Sequence, residues 1–279
     1  MPPEHYLLKE RLTAHLQQIA RPRDPFLATE GHFFVQQYVQ EQLGQWGTIA
    51  RHDFSYQGRT YQNVILNLPG RSVAPPILVG AHYDAVLGTS GADDNATGVA
   101  VLLELARSLS ADPPRHPIRL IAFDLEEYGL IGSSAYANEL QEPLRLMLSL
   151  EMLGCCDRSP HSQQYPPGLQ YFYPDRADFI ALVGNWRSTI DLLRICCSLR
   201  QAGVPAQFLP AGNRGLMVPQ TRRSDHAPFW DLGYRAILVT DTAELRNPHY
   251  HQPSDRLETL DLDFLTRVCA GLTKSLHRL

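Results

Sequence analysis

The sequence predicts an α/β fold of three layers, with a mixed, mainly parallel sheet covered by helices on both faces. Two observations carry that expectation. From Pro76 onward, short apolar runs of buried-strand type alternate with helix-period stretches across short linkers, the pattern of parallel strands joined by crossover helices. Ahead of them, two strand-like segments flank a Gly-bearing turn, so the sheet is entered through an antiparallel hairpin. A length of 279 residues, 44% of them apolar and 19% charged, fits one domain over 1–279 with a sizeable core.

In chain order, Tyr6, Leu7, Leu8, Leu12 and Leu16 give one helical apolar stripe, and Phe33, Phe34, Tyr38 and Leu43 give a second. Thr48 to Phe54 and Tyr61 to Leu68 are the hairpin strands around Tyr56-Gln57-Gly58. Ile77 to Gly80, Ile118 to Phe123 and Leu146 to Leu153 are buried strands. Gly98 to Leu109 and Ser133 to Leu140 are the helices between them. A helix over Ser188–Arg200, a strand over Ala236–Thr240 and a closing helix with Leu262, Leu265, Cys269, Leu272 and Leu276 on one face complete the set. Two stretches, at about 155–185 and 203–223, are rich in Pro, Gly, aromatics and polar residues and read as long loops of the lid or binding-wall type.

Composition excludes several function classes. The 25 basic and 29 acidic residues give a net charge of −4, which argues against a nucleic-acid partner. No run of 18 apolar residues occurs, so no membrane span and no membrane partner are expected. Residues 1–18 are charged throughout and lack a signal-peptide core, which points to the cytoplasm. Five cysteines, two adjacent pairs and Cys269 with no CxxC, read as thiols rather than a disulfide framework or a thiolate metal site.

The chemistry sits after the strands. Ile77–Gly80 leads into Ala81-His82-Tyr83-Asp84 and then Gly91-Ala92-Asp93-Asp94-Asn95 before a helix. Ile118–Phe123 leads into Asp124-Leu125-Glu126-Glu127, and Leu146–Leu150 ends in Glu151. Ala236–Thr240 leads to a loop holding His249-Tyr250-His251. Alone, each piece has a bland reading: a loop histidine, an N-cap carboxylate, a solvated charge pair. Gathered at the ends of four strands of one sheet, they form a concentration of negative charge that calls for a cation. Imidazole and carboxylate donors without thiolate favour Zn²⁺ or a similar divalent transition metal over Ca²⁺ or Mg²⁺.

The set GAHYDA, GADDNATGVAVLLELA, FDLEEYGLIGS, SLEMLG, SDHAPFWDLG and HYHQPSD, in this order between residues 80 and 256, resembles the M28 family of zinc metallopeptidases, the co-catalytic aminopeptidase group. The resemblance implies a zinc-exopeptidase-like fold and two Zn²⁺ per chain. His82 and Glu151 would hold one zinc, Glu127 and His251 the other, and Asp94 would bridge them. Glu126 would be the general base acting on a metal-bound water, Asp84 would orient His82, and Tyr250 would donate to the developing oxyanion. Family members more commonly have Asp where Glu151 stands, and Thr where Arg256 stands. His249 and His251 compete for one ligand position, and the HxxxD spacing to Asp255 selects His251.

Ser224-Asp225-His226 admits two readings. Asp225 caps the helix over Ala227–Leu232 while His226 bonds a neighbour, or the resemblance holds and His226 faces the substrate. Arg222-Arg223 read as a solvated patch. The implied activity is removal of N-terminal residues from peptides or amino-acid conjugates. Two rivals remain: glutaminyl-peptide cyclisation, carried out by relatives of the same family, and a non-catalytic scaffold on the same fold. The sequence sets neither side-chain preference nor oligomeric state.

Overall fold

The computed structural model describes residues 3–279, so the start of the charged N-terminal stretch, Met1 and Pro2, lies outside the described residues. Eight strands form one sheet: β1 (Ile49–Tyr56), β2 (Arg59–Leu68), β3 (Ile77–His82), β4 (Ile118–Phe123), β5 (Leu146–Glu151), β6 (Ile180–Gly184), β7 (Ala206–Pro210) and β8 (Ala236–Thr240). Their spatial order is β1-β2-β4-β3-β5-β8-β6-β7. The β1–β2 hairpin enters antiparallel to β4, the central four strands β4, β3, β5 and β8 are mutually parallel, and β6 runs antiparallel to β8 with β7 parallel to β6. A mixed, mainly parallel sheet is what the strand–helix alternation predicts.

Among the described residues, seven α-helices cover it: α1 (Pro3–Ile19), α2 (Thr29–Gly44), α3 (Gly98–Ala111), α4 (Ile131–Glu139), α5 (Thr189–Gln201), α6 (Ala227–Asp231) and α7 (Leu262–Arg278). Strand residues alternate between two cores, as a two-residue period requires. Ile77 and Val79 pack with α1, α2, α3, α5 and α7 on one face, and Leu78 packs with α4 and α6 on the other. α3 is the most enclosed of the long helices, with Val99 to Ala106 buried without a break. Among the described residues, no helix is long and apolar enough to cross a membrane.

Three local expectations need correction. The inward stripe of α2 is His32, Val35, Val39, Gln40 and Leu43, whereas Phe33 is exposed and Phe34 lies under the Arg21 guanidinium at 3.8 Å. The aromatic residues drew the stripe one position out of phase; the β-branched valines form the true inner face. The first turns of α1 likewise leave Tyr6 and Leu7 exposed, and Leu12, Leu16 and Ile19 are what it buries. The two long loops also contain strands. β6 closes the first stretch and β7 lies inside the second. β7 is an edge strand with a single partner and needs neither strict alternation nor a full complement of backbone donors, so Gln207 and Pro210 fit there while hiding it from a pattern search.

The phase of α2 is testable. Leu43→Ala, which empties a fully buried site, should cost about 2–5 kcal/mol in urea denaturation. Phe33→Ala on the same helix should stay within ~0.5 kcal/mol of the parent. Equal losses for both would restore the aromatic stripe as the inner face.

Candidate metal centre

Because β4, β3, β5 and β8 are parallel neighbours, their carboxyl ends open on one edge of the sheet. His82 ends β3, Glu151 ends β5, Glu126 and Glu127 follow β4, and His251 lies in the segment after β8. Asp94 comes from a π-helical turn, Ala92–Thr97, that opens α3. The turn starts at Gly91, whose φ is +52°, and a Cβ there would lie 2.3 Å from the Asp94 carbonyl oxygen, so only glycine allows the chain to fold back this tightly.

The resulting geometry is two imidazole–carboxylate pairs on either side of one aspartate. His82 Nε2 lies 3.2 Å from Glu151 Oε1 and 3.4 Å from Asp94 Oδ1. His251 Nε2 lies 3.1 Å from Asp94 Oδ2 and 3.4 Å from Glu127 Oε2. The two oxygens of Asp94 therefore face different histidines. Glu126 stands slightly apart, with Oε2 at 4.0 Å from His82 Nε2. Donor atoms of His82, Glu126 and Glu151 form one group close enough to share an ion, and those of His82, Asp94 and Glu127 form another. His249 turns away, its Nδ1 at 2.9 Å from Ser254 Oγ.

Burial makes this cluster electrostatically tense. It pushes the Glu126 carboxyl well above the usual range and the Glu127 carboxyl to about 7, with the Asp94 charge adding to the latter. It opposes ionisation of Asp94 as well, yet the two imidazoles hold that carboxyl below its ordinary range. Burial would lower both histidines, but the surrounding carboxylates outweigh it, raising His82 well above its usual value and His251 to about 10. Protons on the imidazoles thus occupy the positions a cation would take. Glu127 Oε1 and His251 Nε2 are buried without a hydrogen-bond partner, so the donor set has unused capacity. Imidazole, carboxylate and the absence of thiolate fit zinc.

A surrounding set of contacts fixes these side chains, and most of it was not legible in the sequence. Asp84 approaches His82 Nδ1 at 3.3 Å and also accepts the backbone amides of Glu126 (3.1 Å) and Glu127 (3.2 Å). Asp255 accepts the amides of Asp93 (2.9 Å) and Asp94 (3.2 Å). Ser224 Oγ donates to Glu151 Oε2 at 2.8 Å. Arg23, between α1 and α2, is fully buried and donates to the carbonyls of Tyr83 (2.8 Å), Ser90 (2.5 Å) and Gly91 (2.8 Å). Asp84 carried a signal through its spacing to His82, and Asp255 through its spacing to His251.

His226 does not reach the site. It is fully buried, Nε2 lies 2.7 Å from the Thr221 carbonyl oxygen, its ring meets Trp230 edge-on, and burial lowers it to about 3. This corrects the substrate-facing reading in favour of a hydrogen-bonded core histidine. Asp225 does not cap α6 either, since both its oxygens lack partners. Tyr250 stacks on His251 with ring centroids 3.8 Å apart. Its hydroxyl oxygen accepts from Arg223 Nη2 at 3.0 Å, and Arg223 also pairs with Glu244 at 2.5 Å, so Arg223 is not merely solvated. The acidic cluster lines a cleft open to solvent whose other walls include Phe179, Val183, Phe208, Leu209 and Leu238. The two predicted loop stretches supply much of that wall, with Tyr173 Oη donating to the Phe208 carbonyl across them at 2.9 Å.

Comparison with known proteins places this site in a family. The model for peptidase family M28 matches residues 63–185. YfbL of Escherichia coli, described as an uncharacterized protein, is 34% identical over 256 residues, covering 86% of this chain and 78% of that one. Aminopeptidase YwaD of Bacillus subtilis is 30% identical over 232 residues, 80% of this chain and 46% of that one, so the chain spans about half the length of this relative. Among solved structures, the LapA aminopeptidase of Legionella pneumophila shares the fold with a TM-score of 0.73 at 17% identity, covering 96% of this chain and 70% of that one. The matched region runs from β2 to β6 and carries His82, Asp94, Glu126, Glu127 and Glu151, and with the extended YfbL identity it establishes that the chain belongs to peptidase family M28.

Proposed function

We propose that the chain is a zinc-dependent aminopeptidase that hydrolyses the N-terminal peptide bond of peptides. The observation that carries this reading is Asp94 set between two imidazole–carboxylate pairs, with Glu126 beside them and bonded to neither histidine. His82 and Glu151 would hold one zinc ion, Glu127 and His251 a second, and Asp94 both. Bound there, the ions would supply Lewis acidity toward water and toward the scissile carbonyl. Glu126 is the proton carrier. Burial raises its affinity for a proton, which suits it to take one from the attacking water and return it to the departing amine. Asp84, by gripping two successive amides, keeps Glu126 and Glu127 facing different tasks. Because Arg223 donates to the phenol oxygen of Tyr250, the Tyr250 proton is left to give to the carbonyl oxygen as it gains charge. The apolar walls suit an apolar N-terminal side chain.

Peptides with a free N-terminus and an apolar first residue should lose single residues, and acetylated versions should resist. Rapid cleavage of blocked peptides, or pyroglutamate as the main product from a Gln-initiated peptide, would defeat the reading and in the second case favour cyclisation.

The adjacent glutamates should fail in different ways. Glu126→Gln should retain zinc, approaching two ions per chain by metal analysis, while kcat falls by ~10²–10⁴-fold. Glu127→Gln should bind its ion more weakly and regain part of its activity in excess zinc. The reverse pattern would exchange the two roles.

Zinc and protons should compete for the same nitrogens. His251 holds its proton up to about 10 in the metal-free chain, so raising the pH should tighten zinc binding and acid should release the metal. Calorimetric titrations in buffers of different ionisation enthalpy should report proton release at neutral pH. Affinity that is independent of pH, with no proton released, would remove the histidines from the donor set.

A further inference from the structure

One stretch of surface outside the cleft departs from the rest in both charge and polarity. α5 is apolar on two sides. Leu192, Ile195, Cys196 and Leu199 face the core. Trp186, in the 3-10 turn that leads into the helix, then Ile190, Leu193 and Cys197 recur at helical spacing on the outer side and are exposed, Trp186 at 68%. Two neighbouring segments join this ridge at its start. The Trp186 amide donates to the Gly212 carbonyl at 2.8 Å, and Arg187 Nη1 donates to the Gly233 carbonyl at 3.0 Å. These contacts bring up the loop carrying Leu216 and Met217 and the turn carrying Leu232, all three exposed, Met217 at 91%.

Positive charge predominates around the ridge, the exposed acid beside Leu232, Asp231, being paired with Arg222 at 2.6 Å. Between residues 184 and 218 the exposed charged residues are Arg187, Arg194, Arg200 and Arg214. The only acidic residue in that span, Asp191, is buried and held by both Arg145 terminal nitrogens at 2.9 and 2.7 Å. Exposed Arg235 adds a further positive charge. This occurs on a chain whose net charge is −4.

We infer that this face is a peripheral docking surface for an anionic lipid bilayer, with Trp186, Ile190, Leu193, Leu216 and Met217 entering the interface and the arginines meeting the headgroups. Apolar and aromatic residues on a ridge bordered by basic ones are the pattern of surface-lying membrane helices. A second copy of the chain fits poorly, because a symmetric contact through α5 would set arginine opposite arginine. An acidic protein partner fits less well than a bilayer. Met217 and Trp186 are strongly exposed, and apolar side chains presented to solvent in this way can enter a fluid interface without a complementary pocket. This departs from the sequence-based expectation of no membrane partner, which rested on the lack of an apolar run long enough to span a bilayer.

Sedimentation with vesicles tests the inference. The whole chain should pellet with vesicles of equal parts phosphatidylcholine and phosphatidylglycerol at low ionic strength, not with phosphatidylcholine alone, and should be released by salt. Combining Trp186→Ser, Ile190→Ser and Met217→Ser, or separately Arg194→Gln with Arg214→Gln, should weaken partitioning roughly tenfold or more, with the fold checked by circular dichroism. The arginine pair removes no buried group, so it keeps the test sound if the serine variant misfolds. Failure of the parent to pellet with anionic vesicles overturns the inference. So does equal binding by the arginine variant, a lipid-free dimer dissolved by these substitutions, or capture by an acidic helical peptide without any vesicle binding.

Discussion

The fold depends on one electrostatic constraint: Asp94, Glu126, Glu127 and Glu151 are buried within a few ångströms of one another at a single edge of the sheet. Four carboxylates in so little solvent repel one another, and each loses its hydration on burial. The same carboxylates raise the proton affinity of His82 and His251, so protons on these imidazoles or a bound cation can supply the counter-charge. Such an arrangement persists only if the backbone around it cannot relax and let the carboxylates move apart, and the surrounding architecture meets that requirement.

Two further carboxylates provide the restraint by binding backbone amides, Asp84 also standing beside His82. Asp84 accepts consecutive amides at Glu126–Glu127, and Asp255 accepts consecutive amides at Asp93–Asp94. Each clamps the main chain immediately behind donor side chains, and amide dipoles directed at a carboxylate lower the cost of its burial. Arg23 holds the carbonyl side of the same loops and contributes a buried positive charge without pairing directly with any acid. The donors are therefore positioned by main-chain contacts at both amides and carbonyls, and a side-chain substitution among the donors leaves those contacts in place.

What the sequence disclosed, and what it hid, follow from the same physics. The central strands β3, β4, β5 and β8 were legible because strands buried on both faces are continuous apolar runs, and each ends in or leads into a segment bearing imidazole or carboxylate. His82, Asp94, Glu126, Glu127, Glu151 and His251 were legible for that reason, together with their order along the chain. β7 was hidden because an edge strand tolerates Gln and Pro, and the α2 phase was misread because Phe33 is large, apolar and exposed. Arg23 left little trace because its partners are backbone groups brought near by the tertiary fold, Tyr83 lying 60 residues away, and Asp255 was legible by its spacing to His251 but not as an acceptor of amides 162 residues away. A single arginine in a polar linker gives no indication that it will be enclosed.

The reversal of β6 relative to β8 has a consequence for how the molecule can be oriented. Gly184 pairs with Ile237 near the start of β8, whereas the donors cluster where β8 and its parallel neighbours end, so α5 begins at the edge of the sheet opposite the cleft. A molecule held by its basic ridge would keep the catalytic mouth open to the aqueous phase and accessible to diffusing peptides. The segment from Ala211 to Arg223 nevertheless travels the whole distance, exposing Leu216 and Met217 along the way and supplying Val218, Gln220 and Arg223 to the cavity. Attachment at one end of that segment would limit the excursions of the other, giving anchorage a direct mechanical route to substrate selection.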